Sequence, residues 1–181
     1  MDINQTIDKI NNIKNQNVID IDKWKNFKIT DLFEVSGTET TPKAEIVDNN
    51  GPYPYVTTKA TNNAIDGYSS VKTENGNVLV VDSAVLGYMT YQEDDFSASD
   101  HVEKLVPKFK LNKYIGIFIC TVWNKAYADS KYNYQRKASQ KEIIKDTIRL
   151  PVNENGEPDF EYIESFIIDS KFGGMLQAPL H

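Results

Sequence analysis

The chain has 181 residues, 40% apolar and 25% charged, which is enough for one globular domain with a sizeable core and crowded for two. Its 20 basic residues against 26 acidic ones argue against a free-standing nucleic-acid binder, because phosphate neutralisation calls for surplus Lys and Arg. The single cysteine, Cys120, can form no internal disulfide or thiol-rich metal site, and the longest mostly apolar run, Tyr114 to Trp123, is about half of the ~20 residues a membrane-spanning helix needs.

The opening Met1-Asp2-Ile3-Asn4 has no basic-then-apolar signal pattern, so the cytoplasm is the expected compartment and no membrane partner is expected. Ile3, Ile7, Ile10 and Ile13 recur at helical spacing in an Asn- and Lys-rich segment, which predicts a helix within residues 1–17. A stripe that narrow suits a seam with another helix. From Trp24 the chain turns to short segments rich in Val, Tyr, Thr and Phe, punctuated by Asn49-Asn50-Gly51-Pro52, Asp66-Gly67 and Asn75-Gly76. These are strand and turn signals, and they predict strands near 53–58, 65–69, 77–82, 86–91 and 102–106, with a loop around 38–47. Phe27, Phe33, Tyr53 and Tyr55 are expected in the core, each tyrosine packing its ring and satisfying one hydroxyl.

Apolar residues at 111, 114, 115, 118, 119, 122, 123 and 126 follow the spacing of an amphipathic helix, which places Cys120 on it as a small buried residue. Between Lys125 and Arg149 seven basic residues (125, 131, 136, 137, 141, 145, 149) face three acidic ones (129, 142, 146), a local balance of +4 within a chain of net charge -6. A basic face can therefore survive the acidic whole. A short helix over 140–145 and a strand over 146–150 are predicted there, the strand ended by Pro151. Pro158 then opens a second amphipathic helix, over 158–174, with Phe160, Ile163, Phe166 and Ile167 on one face, Asp159, Glu161 and Glu164 at its positive end, and Gly173-Gly174 as its stop. Residues 175–181 read as a flexible tail.

Catalytic, metal-binding and cofactor-binding motifs are missing. There is no Asn-Pro-Pro-Tyr-like motif for amino methylation, no Gly-rich strand-to-helix loop for a methyl donor or nucleotide, and no His or Cys cluster. Ser99-Asp100-His101 lacks a nucleophile elbow and a separated triad, so His101 reads as a hydrogen-bonding residue. Asp159, Asp169 and Lys171 superficially match a Mg²⁺-dependent nuclease, yet residues ten apart on one helix lie ~15 Å apart along its axis, too far to share an ion.

Islands of sequence from Trp24 to Ile167 carry a more specific signal. They are Trp24-Lys25-Asn26-Phe27-Lys28-Ile29-Thr30-Asp31-Leu32-Phe33, Tyr53-Pro54-Tyr55-Val56-Thr57-Thr58 with Asn62-Asn63-Ala64-Ile65-Asp66-Gly67-Tyr68, Gly76 to Val81, Tyr91-Gln92, Phe96, Lys131-Tyr132-Asn133-Tyr134, and Ile148-Arg149-Leu150-Pro151-Val152 closing into Gly156-Glu157-Pro158-Asp159. Their order and spacing resemble the target-recognition domain of type I restriction-modification specificity subunits and of the related subunits of bipartite-site type II systems. The resemblance implies an α+β fold: a twisted, mainly antiparallel, partly curled sheet with a packed amphipathic helix, flanked by N- and C-terminal helices. It implies double-stranded DNA as ligand, a methyltransferase subunit as partner with a restriction subunit as a further candidate, and no catalysis, metal or cofactor of its own.

Specificity subunits of this family hold two such domains separated by long helices, so the chain looks like a half subunit: recognition domain over 18–157, assembly helices over 1–17 and 158–174. A symmetric homodimer through Ile3, Ile7, Ile10 and Ile13 with Phe160, Ile163 and Ile167 would rebuild the two-domain arrangement. Within the recognition domain, Thr57, Thr58, Lys59, Asn62 and Asn63 offer hydroxyls, a cation and two amides suited to base edges; a hairpin that staples its own backbone through its Asn side chains is the equal alternative. Lys131, Tyr132, Tyr134, Gln135, Arg136 and Lys137 interleave cations with aromatic and amide groups, suiting phosphate grip with base or sugar contact; a solvated basic loop is the bland alternative. Gln135 stands where the family usually has Gly after Lys-Tyr-x-Tyr. The rival readings are a small Mg²⁺-dependent nuclease using Asp159, Asp169 and Lys171, and an interaction module without DNA binding.

Overall fold

The computed structural model describes residues 20–43 and 51–170. The stripe Ile3, Ile7, Ile10 and Ile13, the Lys171 of the acid-acid-lysine set and the Gly173-Gly174 stop lie outside them. The chain divides into two compact units, one formed by Asn26–Arg149 and the other by the segments Met1–Lys25 and Leu150–His181.

The strands are β1 (Lys25–Lys28), β2 (Phe33–Gly37), β3 (Tyr53–Val56), β4 (Ile65–Ser69), β5 (Val78–Asp82), β6 (Met89–Gln92), β7 (Ser97–Ala98), β8 (Val102–Pro107) and β9 (Thr147–Leu150). The one curled sheet expected from the sequence is divided among the described residues into three: β2-β8-β5-β6, β4-β3-β7 and the pair β1-β9. Within the four- and three-stranded sheets, pairing is antiparallel except between β3 and β7. The architecture is α+β, as expected.

The larger sheet is built on β5, whose Val78-Leu79-Val80-Val81 run is buried along its whole length between β6 and β8, the pattern of a strand covered on both faces. Leu79 stands opposite Tyr91 on one side and Leu105 on the other, and Leu105 in turn opposite Val35. The strand expected at 86–91 begins only at Met89. Its first residues are taken by a turn in which the Asp82 carboxylate accepts the amides of Ala84, Val85 and Leu86 at 2.7, 3.0 and 2.8 Å, an Asx-type closure that competes with the ladder. Strands β1 and β7 show no alternation in the sequence; β2 alternates over Phe33-Glu34-Val35-Ser36, and its register comes from β8, some 70 residues further along the chain.

Helix α1 (Lys113–Ala126) starts two residues later than its periodicity suggests, because Asn112 caps it, its side chain accepting from Tyr114 and Ile115 at 3.0 and 3.1 Å. Ile115, Phe118, Ile119, Cys120 and Trp123 form its buried face. Gly116 lets it lie against β6: a Cβ there would stand 2.7 Å from the Tyr91 ring. Asn124 pairs with both backbone groups of Met89 at 2.7 and 2.8 Å, and the Trp123 indole donates to the Gly87 carbonyl at 2.9 Å. The helix is thereby fixed to β6 along its length.

Phe33 and Tyr55 are buried, the Tyr55 hydroxyl donating to the Thr41 carbonyl at 2.9 Å, whereas Phe27 and Tyr53 are only half-buried. His101 sits in the exposed turn before β8 with φ of 60°. In the other unit, helix α2 (Phe160–Asp169) is capped by Asp159, whose carboxylate accepts from Tyr162 at 2.9 Å. Ile163 is buried, while Phe160 and Ile167 are half-buried. Among the described residues no helix is long and apolar enough to cross a membrane, and no three His, Cys, Asp or Glu residues converge as a metal site.

Candidate nucleic-acid interface

Two polar tips project from the unit Asn26–Arg149, one tied to β6 and the other seated on Gly87, two residues before β6. The first is the connection between β3 and β4. Thr57 closes it by donating its amide to the Ala64 carbonyl at 2.8 Å, with its hydroxyl 3.3 Å from the same oxygen. Inside the closure, Asn62, Asn63 and Ala64 all take left-handed conformations, with φ of 51°, 50° and 65°. Each such residue costs roughly 1–2 kcal/mol, Asn at the low end and Ala without relief from its own side chain. The surroundings hold them there. The Asn62 amide donates to the Ile65 carbonyl at 3.0 Å, the Asn63 amide to the Tyr91 carbonyl at 2.9 Å, and the Gln92 amide to the Asn63 carbonyl at 3.0 Å.

Of the two readings of these asparagines, the stapling one is realised in geometry, since each spends an amide hydrogen on backbone. Lys59, Thr61 and Asn62 remain exposed at the tip and Thr57 and Thr58 half-exposed. Lys59 is not an idle cation: it shares Asp66 with Lys43, at 2.7 and 2.6 Å. Lys43 first, then Lys59, pulls the Asp66 carboxyl down to about 2.

The second tip follows α1. Tyr132 is fully buried, its ring 6.1 Å from that of Trp123 and 6.3 Å from that of Tyr127, and its hydroxyl donates to the buried Asp146 carboxylate. Burial raises the Tyr132 hydroxyl well above the usual range. Lys131 pairs with the same carboxylate and lies 5.3 and 5.0 Å over the rings of Tyr127 and Tyr132. These are corrections to the expectation for Tyr132 and Lys131: the pair that looks like grip and contact in sequence faces inward, because Asp146 collects both polar ends. Asp146 is the residue that reading the sequence missed, being one acid in a basic run.

Beyond Lys131-Tyr132 the chain turns on Asn133, whose side chain accepts from the amides of Gln135 and Arg136 at 2.9 and 3.0 Å while Asn133 and Arg136 exchange backbone bonds at 3.0 Å. Gln135 has no positive φ, so this turn does not require the Gly that the family usually has there. It presents Tyr134, 79% exposed, with Gln135 and Lys137 beside it in solvent. Arg136 is exposed but leans on Glu142 at 3.2 Å; Lys145, then Arg136, lowers the Glu142 carboxyl. Lys137 has no partner among the described residues.

The tips are related through one stretch of chain, Gly87 to Gln92. The Asn63 tie is to Tyr91, and the Tyr132 side chain is seated on Gly87, where a Cβ would come within 2.5 Å of the Tyr132 Cβ. Four residues of chain span at most about 14 Å. Two exposed polar tips, one rich in amides and hydroxyls and one in cations with an aromatic, are thus anchored within the segment Gly87 to Gln92.

The profile of the type I restriction modification DNA specificity domain matches residues 21–172. The chain belongs to this family. Among curated relatives of the specificity domain, the specificity subunit of the BcgI type II restriction enzyme from Heyndrickxia coagulans is 30% identical over 153 residues, covering 80% of this chain and 43% of that subunit. The fold is shared with the S subunit of the M. genitalium type I restriction-modification system (TM-score 0.55, 14% identity, 73% of this chain and 35% of that one). It is also shared with the HsdS subunit from Thermoanaerobacter tengcongensis (TM-score 0.57, 11% identity, 87% and 40%). This specificity domain spans less than half the length of each of these relatives.

Proposed function

We propose that this chain is a DNA-reading specificity subunit that recognises one half of a bipartite target and directs a methyltransferase, with a restriction subunit as a further partner, while catalysing nothing itself. The observation that carries the reading is the specificity-domain match over 21–172, whose matched span includes both exposed tips. In this reading Thr57, Thr58, Lys59 and Asn62 face base edges, Asn63 holds the tip, and Tyr134, Gln135, Arg136 and Lys137 grip the backbone.

The acidic whole is consistent with division of labour: the local surplus of +4 steers, and the methyltransferase supplies most phosphate contacts. The domain spans of the sequence reading, with recognition over 18–157 and assembly helices over 1–17 and 158–174, belong to the same proposal. The half-buried Phe160 and Ile167 of α2 suit a seam with a second copy, whose own domain would read the other half-site of an inverted repeat. The expected compartment is the cytoplasm, where such a complex meets DNA.

Sequencing of modified bases in cells with and without the chain tests the proposal. Loss of methylation at one bipartite motif upon deletion is the expected result; an unchanged methylation pattern overturns it. The nuclease alternative gains nothing from the geometry, since Asp159 is spent on the α2 cap and Asp169 lies at the far end of that helix.

A further inference from the structure

Gln92 is 2% exposed at the end of β6, and its one amide nitrogen makes two bonds: to the Asn63 carbonyl at 3.0 Å and to the Thr90 hydroxyl at 2.9 Å. Nothing in the β-ladder asks for an amide here, since Gln92 pairs with Val78 through its backbone alone. What the amide holds is the middle residue of three consecutive left-handed ones, Asn62, Asn63 and Ala64. A run of left-handed residues persists only where its surroundings over-determine it, and such strain clusters where a tip has to be aimed. Here two opposed ties do so: the Asn63 side chain reaches out to the Tyr91 carbonyl, and the Gln92 side chain reaches back to the Asn63 carbonyl. The left-handed turn is clamped between neighbouring residues of one strand.

We propose that Gln92 is a specificity-determining positioning residue: by holding the Asn63 carbonyl it fixes the left-handed turn and so sets which base edges the exposed Lys59, Thr61 and Asn62 side chains meet. Gln92 itself touches no DNA. The inference rests on the reading of the β3–β4 tip as a DNA-recognition element. A turn free to relax to right-handed conformations would carry the same side chains on a different path and average its contacts over several registers, whereas the phosphate grip on the 133–137 turn, which follows the Tyr132 seated on Gly87, would be untouched.

The test uses the full chain with its methyltransferase subunit and a pool of DNA duplexes with a randomised central segment, selected by binding and sequenced, at two salt concentrations. Wild type is expected to enrich one motif. Gln92→Met, nearly isosteric but without the donor, is expected to flatten preference at one or two adjacent positions by about tenfold while leaving the slope of affinity against salt unchanged. Thr90→Val, which removes only the hydroxyl that orients the Gln92 amide, is expected to flatten the same positions less, and serves if the Met variant does not fold. A motif as sharp as wild type in a folded variant overturns the role of Gln92 and leaves the DNA reading standing. Loss of affinity that is equal for all sequences shows a merely structural residue and also overturns it. If wild type enriches no motif, the DNA reading fails and the positioning role goes with it.

Discussion

The Tyr132 hydroxyl and the Lys131 ammonium meet on one buried carboxylate, that of Asp146, fourteen and fifteen residues along the chain. Two neighbouring residues with opposite tendencies, one aromatic and one cationic, are thereby turned to the same interior point. The exposed turn that follows starts from a fixed base.

Removing that carboxylate should be costly. Asp146→Ala strands a partly buried ammonium and a fully buried hydroxyl, and the expected loss is about 3 kcal/mol, discounted from a fully buried pair because Lys131 keeps some solvent. Urea unfolding measures it. A loss below about 1 kcal/mol would remove Asp146 as the anchor of the loop.

Gly87 predicts a second stability effect by a different route. Its φ of 68° and the 2.5 Å approach of the Tyr132 Cβ mean that Gly87→Ala meets both backbone strain and overlap. The expected cost is about 2–4 kcal/mol, read as a lower melting temperature. Full wild-type stability in this variant would contradict the close seating of the loop on Gly87.

Within the basic turn the cations should separate. Lys137→Ala is expected to reduce the slope of log affinity against log salt by about 0.9, equally for all sequences, whereas Arg136→Ala should reduce it less because Glu142 already shares its charge. Lys131→Ala should lower stability and leave the slope nearly unchanged. Salt titrations of the methyltransferase complex on one duplex distinguish the three. Equal slopes for the Lys137 variant and wild type would exclude Lys137 from the phosphate contacts.

Asp66 pairs with both Lys59 and Lys43 and so competes for their charge. Asp66→Asn should therefore strengthen DNA binding and steepen the salt dependence by about 0.9 for each lysine that reaches the backbone. Its carboxyl, held at about 2, lies below the unfolded range near 3.9. A depressed pKa contributes stability that is present above pH 4 and lost as pH falls toward 2. An NMR titration of Asp66 with a midpoint near 4 would remove the pairing that both expectations need.

What the sequence disclosed and what it hid follow a physical division. Helix α1, strands β4 and β5 and the amphipathic face of α2 announce themselves through periodicity or a local motif, so they were readable, whereas the helix expected from Pro158 begins at Phe160 with Asp159 as its cap. The Lys131-to-Lys137 run was legible as basic and as a loop, but not its inward first half, because Asp146 reaches it only through the fold. The turn at Asn62–Ala64 was legible as a turn; that it is left-handed depends on Gln92 and Tyr91, nearly thirty residues away. Strands β1 and β7 carry no alternation, and β2, whose Phe33-Glu34-Val35-Ser36 does alternate, is short and takes its register from the distant β8. The bounds of 86–91 failed for a local reason, the Asp82 carboxylate, which a reader alert to Asx turns could have seen.

Strand β6 borders its sheet, and an uncovered border is where one sheet adds to another, in dimers and in fibres alike. Here three of the outward groups are taken: Asn124 occupies both backbone groups of Met89, and Asn63 occupies the carbonyl of Tyr91. Side-chain amides thus stand where a neighbouring strand would pair. A second copy that extended this sheet along β6 would have to displace two asparagines, so the border is closed to strand addition, and to growth into a polymer, from that side.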